Sequence, residues 1–147
     1  MYADYIAHGE DRYRAEAADY EGTLARLDLA HLGQVPAGLV PSTHYWLLRS
    51  DGTLMGGCRL RHELSDPLWQ DGGHIGYDIR PSKRNRGYAT RMLALALDKA
   101  RERGLEWVLL TVSPYNKASL RVAEKNGARC IGVGEESGNL QLRIDLG

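Results

Sequence analysis

Apolar residues recur along the chain at regular spacings, and these spacings predict the helices. Between residues 10 and 30 they recur in steps of three and four, which is typical of one helix face. They are Tyr13, Ala17, Tyr20, Leu24 and Leu27. Residues 86–103 repeat the period and end in arginines and a glycine. The apolar face there comprises Ala89, Met92, Leu93, Ala96, Leu97 and Ala100. We expect both faces, including the tyrosine-rich one, to lie in the core.

Short apolar segments predict the strands. Segments 44–49 and 53–62 flank a Ser-Asp-Gly turn, so they predict an antiparallel hairpin. Residues 107–112 form an unbroken apolar run, as expected for a strand buried on both faces in the middle of a sheet. The other predicted elements are a strand at 73–79, a helix at 116–126 and a closing hairpin at 130–133 and 139–144, with loops at 33–41 and 64–71.

The order of these elements predicts a single domain of the α/β (α+β) class over residues 1–147. Residues 1–43 would supply an N-terminal helix and loop, and residues 44–147 the core. A chain of 147 residues is long enough to bury a core without metals or disulfides.

The overall charge argues against two classes of partner. The chain has 19 basic and 19 acidic residues, so it lacks the excess positive charge of a typical nucleic-acid-binding protein. No apolar run approaches the ~18 residues of a membrane span, and the first residues are too polar for a signal peptide. We therefore expect a cytoplasmic protein with no nucleic-acid and no membrane partner.

The cysteines and histidines predict neither a disulfide nor a metal site. Cys58 and Cys130 are isolated in the sequence, which suits a reducing compartment and predicts two small buried side chains. His44 and His62 lack the clustered spacing of metal ligands, so we expect no metal.

A basic, glycine-spaced segment between a predicted strand and a predicted helix carries the clearest chemistry. Residues 72–89 read GGHIGYDIRPSKRNRGYA. A helix start presents unpaired backbone N–H groups and the positive end of the helix dipole, which together bind phosphate. Gly87 would let the backbone approach a ligand, and Ala89 would keep the first turn open. Arg84 and Arg86 add positive charge, so the segment predicts a site for a nucleotide-like diphosphate.

Two better-known phosphate motifs do not fit this segment. The chain has no Gly-x-x-x-x-Gly-Lys-Ser/Thr run, and the glycines at 72, 73 and 76 fall in the predicted strand rather than at a helix start. The pattern Arg84-x-x-Gly87-x-Ala89 instead resembles the signature of the GNAT superfamily of acyl-CoA-dependent N-acetyltransferases. The resemblance covers residues 44–146 and includes a second helix that opens at Asn116. Within the superfamily, residues 59–64 (RLRHEL) and 72–77 (GGHIGY) resemble a group of predicted acetyltransferases.

The resemblance implies a central mixed, mostly antiparallel sheet flanked by helices. It also implies that acetyl-CoA is the cosubstrate. Backbone groups of residues 77–79 would bind its pantetheine arm and thioester carbonyl, in a slot between the strands of Ile79 and Leu110. The N–H groups from Asn85 to Thr90 would hold the pyrophosphate. Asn116 would contact pantetheine, cap its helix through the N–H of Ser119, or do both. The residues expected at the donor site are Tyr77, Asp78, Ile79, Arg84, Asn85, Arg86, Gly87, Tyr88, Ala89, Thr90, Asn116 and Ser119.

Two departures from the family pattern affect catalysis and assembly. The leaving-group acid is commonly a tyrosine seven residues after the asparagine, and this chain has Ala123 there. The candidate substitutes are Ser119, one turn earlier on the same helix face, and Tyr115, just before the helix. A CoA thiolate is also a good enough leaving group to need no dedicated acid. The family's first strand is also absent here. A second copy of the chain could cover the sheet edge that this leaves exposed, giving a homodimer.

His74 and Glu63 are the main candidates for the catalytic base, and Asp71 and Asp78 are weaker ones. His74 lies on the strand expected to hold the acetyl group, and a histidine titrates near neutral pH. Strict alternation from Ile79 points His74 to the other side of that strand unless a bulge intervenes, so its alternative role is that of a core histidine. Glu63 ends the neighbouring strand. It would accept a proton through water, or it is a solvated charge at the end of the hairpin.

Two functions from different classes fit these observations. The first is an acetyl-CoA-dependent N-acetyltransferase that acts on the primary amine of a small molecule or peptide, by direct attack in a ternary complex. The second is a catalytically silent acyl-CoA-binding sensor or interaction module, which Ala123 and the missing strand favour. Nucleic-acid binding through the arginines is disfavoured by the zero net charge.

Overall fold

The computed structural model describes residues 1–147 as an alternation of helices and strands. The helices are α1 (Tyr2–Ala7), α2 (Arg14–Ala18), α3 (Tyr20–His31), α4 (Asp66–Gln70), α5 (Tyr88–Glu102) and α6 (Lys117–Lys125). The strands are β1 (Ser42–Leu48), β2 (Leu54–Arg61), β3 (Ile75–Ile79), β4 (Trp107–Val112), β5 (Arg129–Val133) and β6 (Leu140–Asp145). A 3₁₀ turn (Pro81–Lys83) follows β3.

The strands form two antiparallel sheets with the orders β1-β2-β3 and β4-β6-β5. Helix α5 connects β3 to β4 and packs on β2 and β3, while α6 packs on α5 and β4. The predicted α/β (α+β) class, with largely antiparallel sheets flanked by helices, is confirmed. The prediction that β4 lies in the middle of one sheet is wrong. That strand pairs only with β6, and its other edge faces β3.

The two sheets meet where the chain enters β3. The N–H of His74 donates to the carbonyl of Leu109 (2.8 Å), and the N–H of Leu109 donates to Nδ1 of His74 (2.9 Å). Gly73 permits this contact, because a Cβ at that position would lie 2.4 Å from the Leu109 carbonyl oxygen. Arg61 holds the turn by donating to the carbonyls of Gly72 (2.9 Å) and Gly73 (3.1 Å). Beyond this joint no ladder connects β3 to β4, so the sheets separate.

The core fixes the start of α5 beside the end of β3. The predicted apolar face of α5 is buried, apart from Ala89, which is only partly buried. Its buried members are Met92, Leu93, Ala96, Leu97 and Ala100. The opposing residues of β4 are Val108, Leu110 and Val112, all buried in the same cluster. Because burial of this apolar surface drives the packing, the first turn of α5 is held in place by the rest of its length.

The N-terminal helix prediction needs correction. The single helix expected between residues 10 and 30 is broken at Asp19, which is non-helical and caps α3 by accepting from the N–H of Gly22 (3.0 Å). The tyrosine stripe is not in the core, since Tyr20 is 64% exposed. The buried tyrosine is instead Tyr5, in the short helix α1, which was not predicted.

Three further expectations can be compared with the structure. The loop predicted at 64–71 contains helix α4. Cys58 is buried as expected, but Cys130 is exposed, and both are free thiols. No strand precedes β1, which therefore forms one edge of its sheet. None of the helices combines the length and the apolar character that crossing a membrane requires.

The first 13 residues, here called the N-terminal segment, fold back onto the turn after β3. Asp4 accepts from Nε of Arg80 (2.9 Å) and from the hydroxyl of Ser82 (2.9 Å). The Arg80 guanidinium, followed by Ser82, lowers the pKa of the Asp4 carboxyl to about 2. Glu10 forms a two-pronged ion pair with Arg84 (2.6 and 3.1 Å). This polar docking places the segment beside the predicted phosphate site.

Candidate functional site

A cleft of about 720 Å³ lies between the end of β3, the start of α5 and helix α6. The expected donor-site residues that line it are Tyr77, Asp78, Ile79, Arg84, Asn85, Gly87, Tyr88, Ala89, Thr90, Asn116 and Ser119. Those not foreseen are Arg12, Lys83, Ala118, Arg121, Val122 and Lys125. Of the expected residues, Arg86 alone lies outside the lining. Leu110, expected to border the slot, is buried in the core.

The start of α5 presents a row of free backbone donors to this cleft. The N–H groups from Asn85 to Thr90 have no backbone acceptor, and no side chain caps the helix. Asn85 (φ 60°) and Gly87 (φ 82°) both adopt the left-handed conformation. Alternation of left-handed with ordinary residues turns successive N–H groups toward one side, which creates an anion-binding concavity. Together with the helix dipole, this geometry suits a phosphate or pyrophosphate.

The charges around the cleft also suit an anion. Five basic side chains line it, namely Arg12, Lys83, Arg84, Arg121 and Lys125, against the single acidic side chain of Asp78. Arg84 was expected to add positive charge beside the phosphate site. Its guanidinium group forms an ion pair with Glu10, and its Nε donates to the carbonyl of Ile79 (2.9 Å). Arg12, Lys83, Arg121 and Lys125 have no ion-pair partner, and the last two lie one turn apart on the same face of α6.

Strand β3 leaves one edge open beside the cleft. The main-chain carbonyl of His74 accepts from the N–H of Arg61, and the N–H of Arg80 donates to the carbonyl of Met55. The main-chain N–H and carbonyl groups of the even-numbered residues of β3 are therefore directed toward β2. The main-chain groups of Tyr77 and Ile79 therefore point the other way, where no strand pairs with them. Asp78, expected to contribute main-chain groups to the donor site, has them directed toward β2 instead.

Two hydroxyl groups from opposite walls meet in the cleft. The hydroxyl groups of Tyr77, on β3, and Ser119, on α6, are hydrogen-bonded at 2.9 Å. Burial raises the pKa of the Tyr77 phenol, so it is protonated at neutral pH. Ala123, one turn after Ser119, is fully buried. Asn116 caps α6 by accepting from the N–H of Ser119 (3.1 Å) while also lining the cleft.

Neither His74 nor Glu63, the two main candidate bases, lies at this cleft. His74 is only 5% exposed, accepts the N–H of Leu109 and contacts Trp107 edge-on. Burial lowers the pKa of its imidazole to about 4, with a smaller contribution from the Arg61 charge. Glu63 is exposed and does not line the cleft. The structure gives His74 a role in joining the sheets and brings neither residue to the donor-side chemistry. Nor does it hold any cluster of three His, Cys, Asp or Glu side chains suited to a metal ion.

Sequence reasoning missed mainly the residues that the N-terminal segment contributes to the site. Tyr5 and Tyr13 donate their hydroxyl hydrogens to the two oxygens of the Asp78 carboxylate. Both contacts span more than sixty residues of sequence, so no local pattern could have indicated them. The pair Arg121 and Lys125 did carry a signal, since residues four apart share a helix face.

Comparison with known proteins agrees with the fold. A family model described as an acetyltransferase (GNAT) domain matches residues 11–129. The chain belongs to the GNAT acetyltransferase family. No curated protein sequence matches it significantly.

Solved structures of several acetyltransferases share the fold. RimJ from Mycobacterium smegmatis, in complex with CoA-disulfide, is 21% identical to this chain, with a TM-score of 0.67. The match covers 87% of this chain and 61% of the RimJ chain. The aminoglycoside acetyltransferase AAC(6')-Ib, in complex with coenzyme A, is 16% identical, with a TM-score of 0.61. The match covers 71% of this chain and 66% of that protein. A mutant spermidine/spermine N-acetyltransferase SpeG from Vibrio cholerae is 18% identical with a TM-score of 0.61, covering 85% and 76%. The chain spans less than two thirds of the first two proteins, and at these identities the likeness shows the fold alone.

Proposed function

We propose that this protein is an acetyl-CoA-dependent N-acetyltransferase that transfers an acetyl group to a primary amine of a small molecule or peptide. The observation that carries the proposal is the row of partnerless N–H groups from Asn85 to Thr90 at the start of α5, facing a basic cleft. The RimJ and AAC(6')-Ib structures contain CoA groups, which makes CoA the natural anion for this site.

The residues present fit the parts of acetyl-CoA. The N–H groups at the start of α5 would bind the pyrophosphate, and Arg121 and Lys125 would add charge for the phosphates. The main-chain N–H and carbonyl of Tyr77 and the N–H of Ile79 would bind the pantetheine arm and orient the thioester carbonyl, whereas the Ile79 carbonyl already accepts from Arg84. Acetyl-CoA supplies an activated acetyl group when bound. Glu63 and His74 have no part in the proposed mechanism because both lie outside the cleft.

The hydroxyl pair of Tyr77 and Ser119 is the proposed proton donor to the leaving thiolate. It lies one helical turn from Ala123, the position of the family's usual tyrosine. We expect Tyr77→Phe and Ser119→Ala each to slow turnover by about 10- to 100-fold, since general acids typically contribute 10²–10⁴-fold and a CoA thiolate needs less help. Stopped-flow or absorbance detection of thiol release would measure the turnover rate. The control is Tyr115→Phe, which changes an exposed residue just before α6. Unchanged rates in both variants would show that the thiolate leaves unassisted.

Calorimetric titration of acetyl-CoA into the purified protein tests the proposed function first. Saturable one-site binding, followed by amine-dependent thiol release, is the expected result. Binding without turnover on any amine would support the alternative, a catalytically silent acyl-CoA-binding sensor. The presence of Ala123 where the family commonly has a tyrosine favours that alternative. No binding at millimolar acetyl-CoA would contradict both functions.

A homodimer remains a proposal about assembly. Strand β1 is an edge of its sheet, and Trp46 and Leu48 on it are 38% and 59% exposed. An open edge of this kind can pair with a second copy. One related structure, a spermidine N-acetyltransferase from Vibrio cholerae, is described as dodecameric. A monomeric mass in light scattering would remove the basis for the dimer.

A further inference from the structure

Asp78 differs from every other charged side chain of the cleft. It is the only acidic residue in the lining, and its carboxylate forms no ion pair with any basic side chain of the protein. Its two oxygens accept hydrogen bonds from Tyr5 and Tyr13 instead. A partly buried carboxylate held by neutral donors keeps lone pairs free and lacks a counter-charge, so a cation placed beside it is strongly stabilised.

The two tyrosines are held firmly in this arrangement. Tyr5 is fully buried, and the ion pairs of Asp4 with Arg80 and of Glu10 with Arg84 fix the chain on either side of it. Tyr13 adopts φ 63°, a left-handed conformation that is unfavourable for a residue with a bulky side chain. Such strain persists only where the surrounding structure imposes it, and it occurs preferentially at functional sites.

The phenols act as donors only. Burial, reinforced by the Asp78 charge, raises the pKa of both tyrosines, so they remain protonated and do not transfer their protons to the carboxylate. Their rings meet edge to face with centroids 5.4 Å apart. The guanidinium group of Arg84 lies over the Tyr5 ring, 5.6 Å from its centroid, and that of Arg12 lies over the Tyr13 ring at 5.9 Å, which further fixes both rings.

Asp78 also lies next to the proposed donor slot. It stands between Tyr77 and Ile79, whose open main-chain groups would hold the thioester, and its side chain points to the opposite face of β3 from theirs. An acceptor at Asp78 would therefore approach the acetyl group from the side opposite the core. The N-terminal segment covers this side, where the family's first strand is missing.

We propose that Asp78, oriented by Tyr5 and Tyr13, binds the ammonium group of a cationic primary amine, which is the acceptor class for this enzyme. The inference rests on the proposed function and adds the substrate class and the residues that select it. One proton passes from the ammonium group to the Asp78 carboxylate. The amine nitrogen then forms a C–N bond to the acetyl carbonyl carbon as the C–S bond breaks, and the thiolate takes a proton from the Tyr77 and Ser119 pair. The nitrogen gives up its second proton through solvent to that hydroxyl pair, and Asp78 releases the first proton to solvent. Tyr5 and Tyr13 are positioning residues.

The test compares acceptors of similar size that differ in charge. Cyclohexylamine is cationic at neutral pH, and aniline is neutral. We expect wild-type protein with saturating acetyl-CoA to acetylate cyclohexylamine with a KM at least about tenfold below that of aniline, the size of one charge-assisted hydrogen bond. Asp78→Asn should abolish this preference and slow turnover by at least about 100-fold. It should leave the calorimetric affinity for acetyl-CoA within about threefold.

Matched variants separate positioning from folding. Tyr5→Phe and Tyr13→Phe should raise the KM for cyclohexylamine without changing acetyl-CoA affinity, whereas Tyr20→Phe and Asp28→Asn, both on the exposed surface of α3, should change neither. Thermal unfolding of each variant confirms that the protein compared is folded. An Asp78→Asn protein that binds acetyl-CoA and retains the preference for the cationic amine would overturn the inference alone. A wild-type protein that binds no acetyl-CoA would overturn the proposed function as well.

Discussion

Gly87→Val should reduce the affinity for acetyl-CoA by roughly 100-fold, the equivalent of losing one or two hydrogen bonds to a charged group. Gly87 is the N-cap of α5 and has φ 82°, a region that β-branched residues avoid. A Cβ there meets no atom within 4 Å, so the cost comes from the backbone and not from a clash. Valine would pull the turn toward an ordinary conformation. The N–H groups from Asn85 to Thr90 would then no longer converge on one anion.

Gly104→Val is the matched control for this experiment. Gly104 follows the other end of α5, has φ 83° and likewise leaves a Cβ in open space. Both variants should lose about 1–2 kcal/mol of stability from the left-handed backbone. Only the variant at Gly87 should lose donor affinity in a calorimetric titration. Equal affinities for the two variants would refute the assignment of the phosphate site.

The donor side of the site could be predicted from the sequence because its information is local. A strand, a basic turn and an amphipathic helix follow one another within thirty residues, and a helix start has the same unpaired N–H groups in any protein. The helix period also placed the buried face of α5 correctly, from Met92 to Ala100. Such local features persist because tertiary packing reinforces them.

The acceptor side could not be predicted, because it is built from contacts between distant parts of the chain. The tyrosine stripe between residues 10 and 30 pointed to a continuous helix, yet Asp19 interrupts it by capping α3. Tyr13 then turns toward Asp78, 65 residues later. The pairing of Arg84 with Glu10, 74 residues apart, likewise removed a cation that the local pattern had assigned to phosphate.

The GGH sequence at 72–74 illustrates a motif whose conspicuous residues serve the fold. Gly73 allows the chain to touch the main chain of β4, and His74 completes the joint by accepting from Leu109. A histidine on the strand that faces the donor invites a catalytic interpretation. The joint nevertheless affects function indirectly, because it fixes where the two sheets begin to separate and therefore where β3 presents its open edge.

His74→Asn should remove a large part of the acid sensitivity of the fold. In the folded protein, burial lowers the pKa of His74 to about 4, whereas in the unfolded chain it is near ~6.5. Between these values the unfolded state binds more protons, so the free energy of unfolding falls as the pH is lowered from ~6.5 toward ~4, by up to about 3 kcal/mol. Asparagine does not titrate in this range. The free energy of unfolding of the variant, measured by urea unfolding at several pH values, should therefore depend less steeply on pH than that of the wild type.

The same position separates a structural from a catalytic histidine when His74→Asn is compared with His74→Ala. The Oδ1 atom of asparagine can accept the N–H of Leu109, whereas alanine leaves that buried donor without a partner. At pH 7 the alanine variant should therefore be less stable than the asparagine variant by about 1–3 kcal/mol. Per folded molecule, both should retain wild-type turnover and acetyl-CoA affinity, because His74 lies outside the cleft. If the folded asparagine variant instead turned over at least about 100-fold more slowly than the wild type, His74 would be identified as the base, and the joint between the sheets would have to open during catalysis.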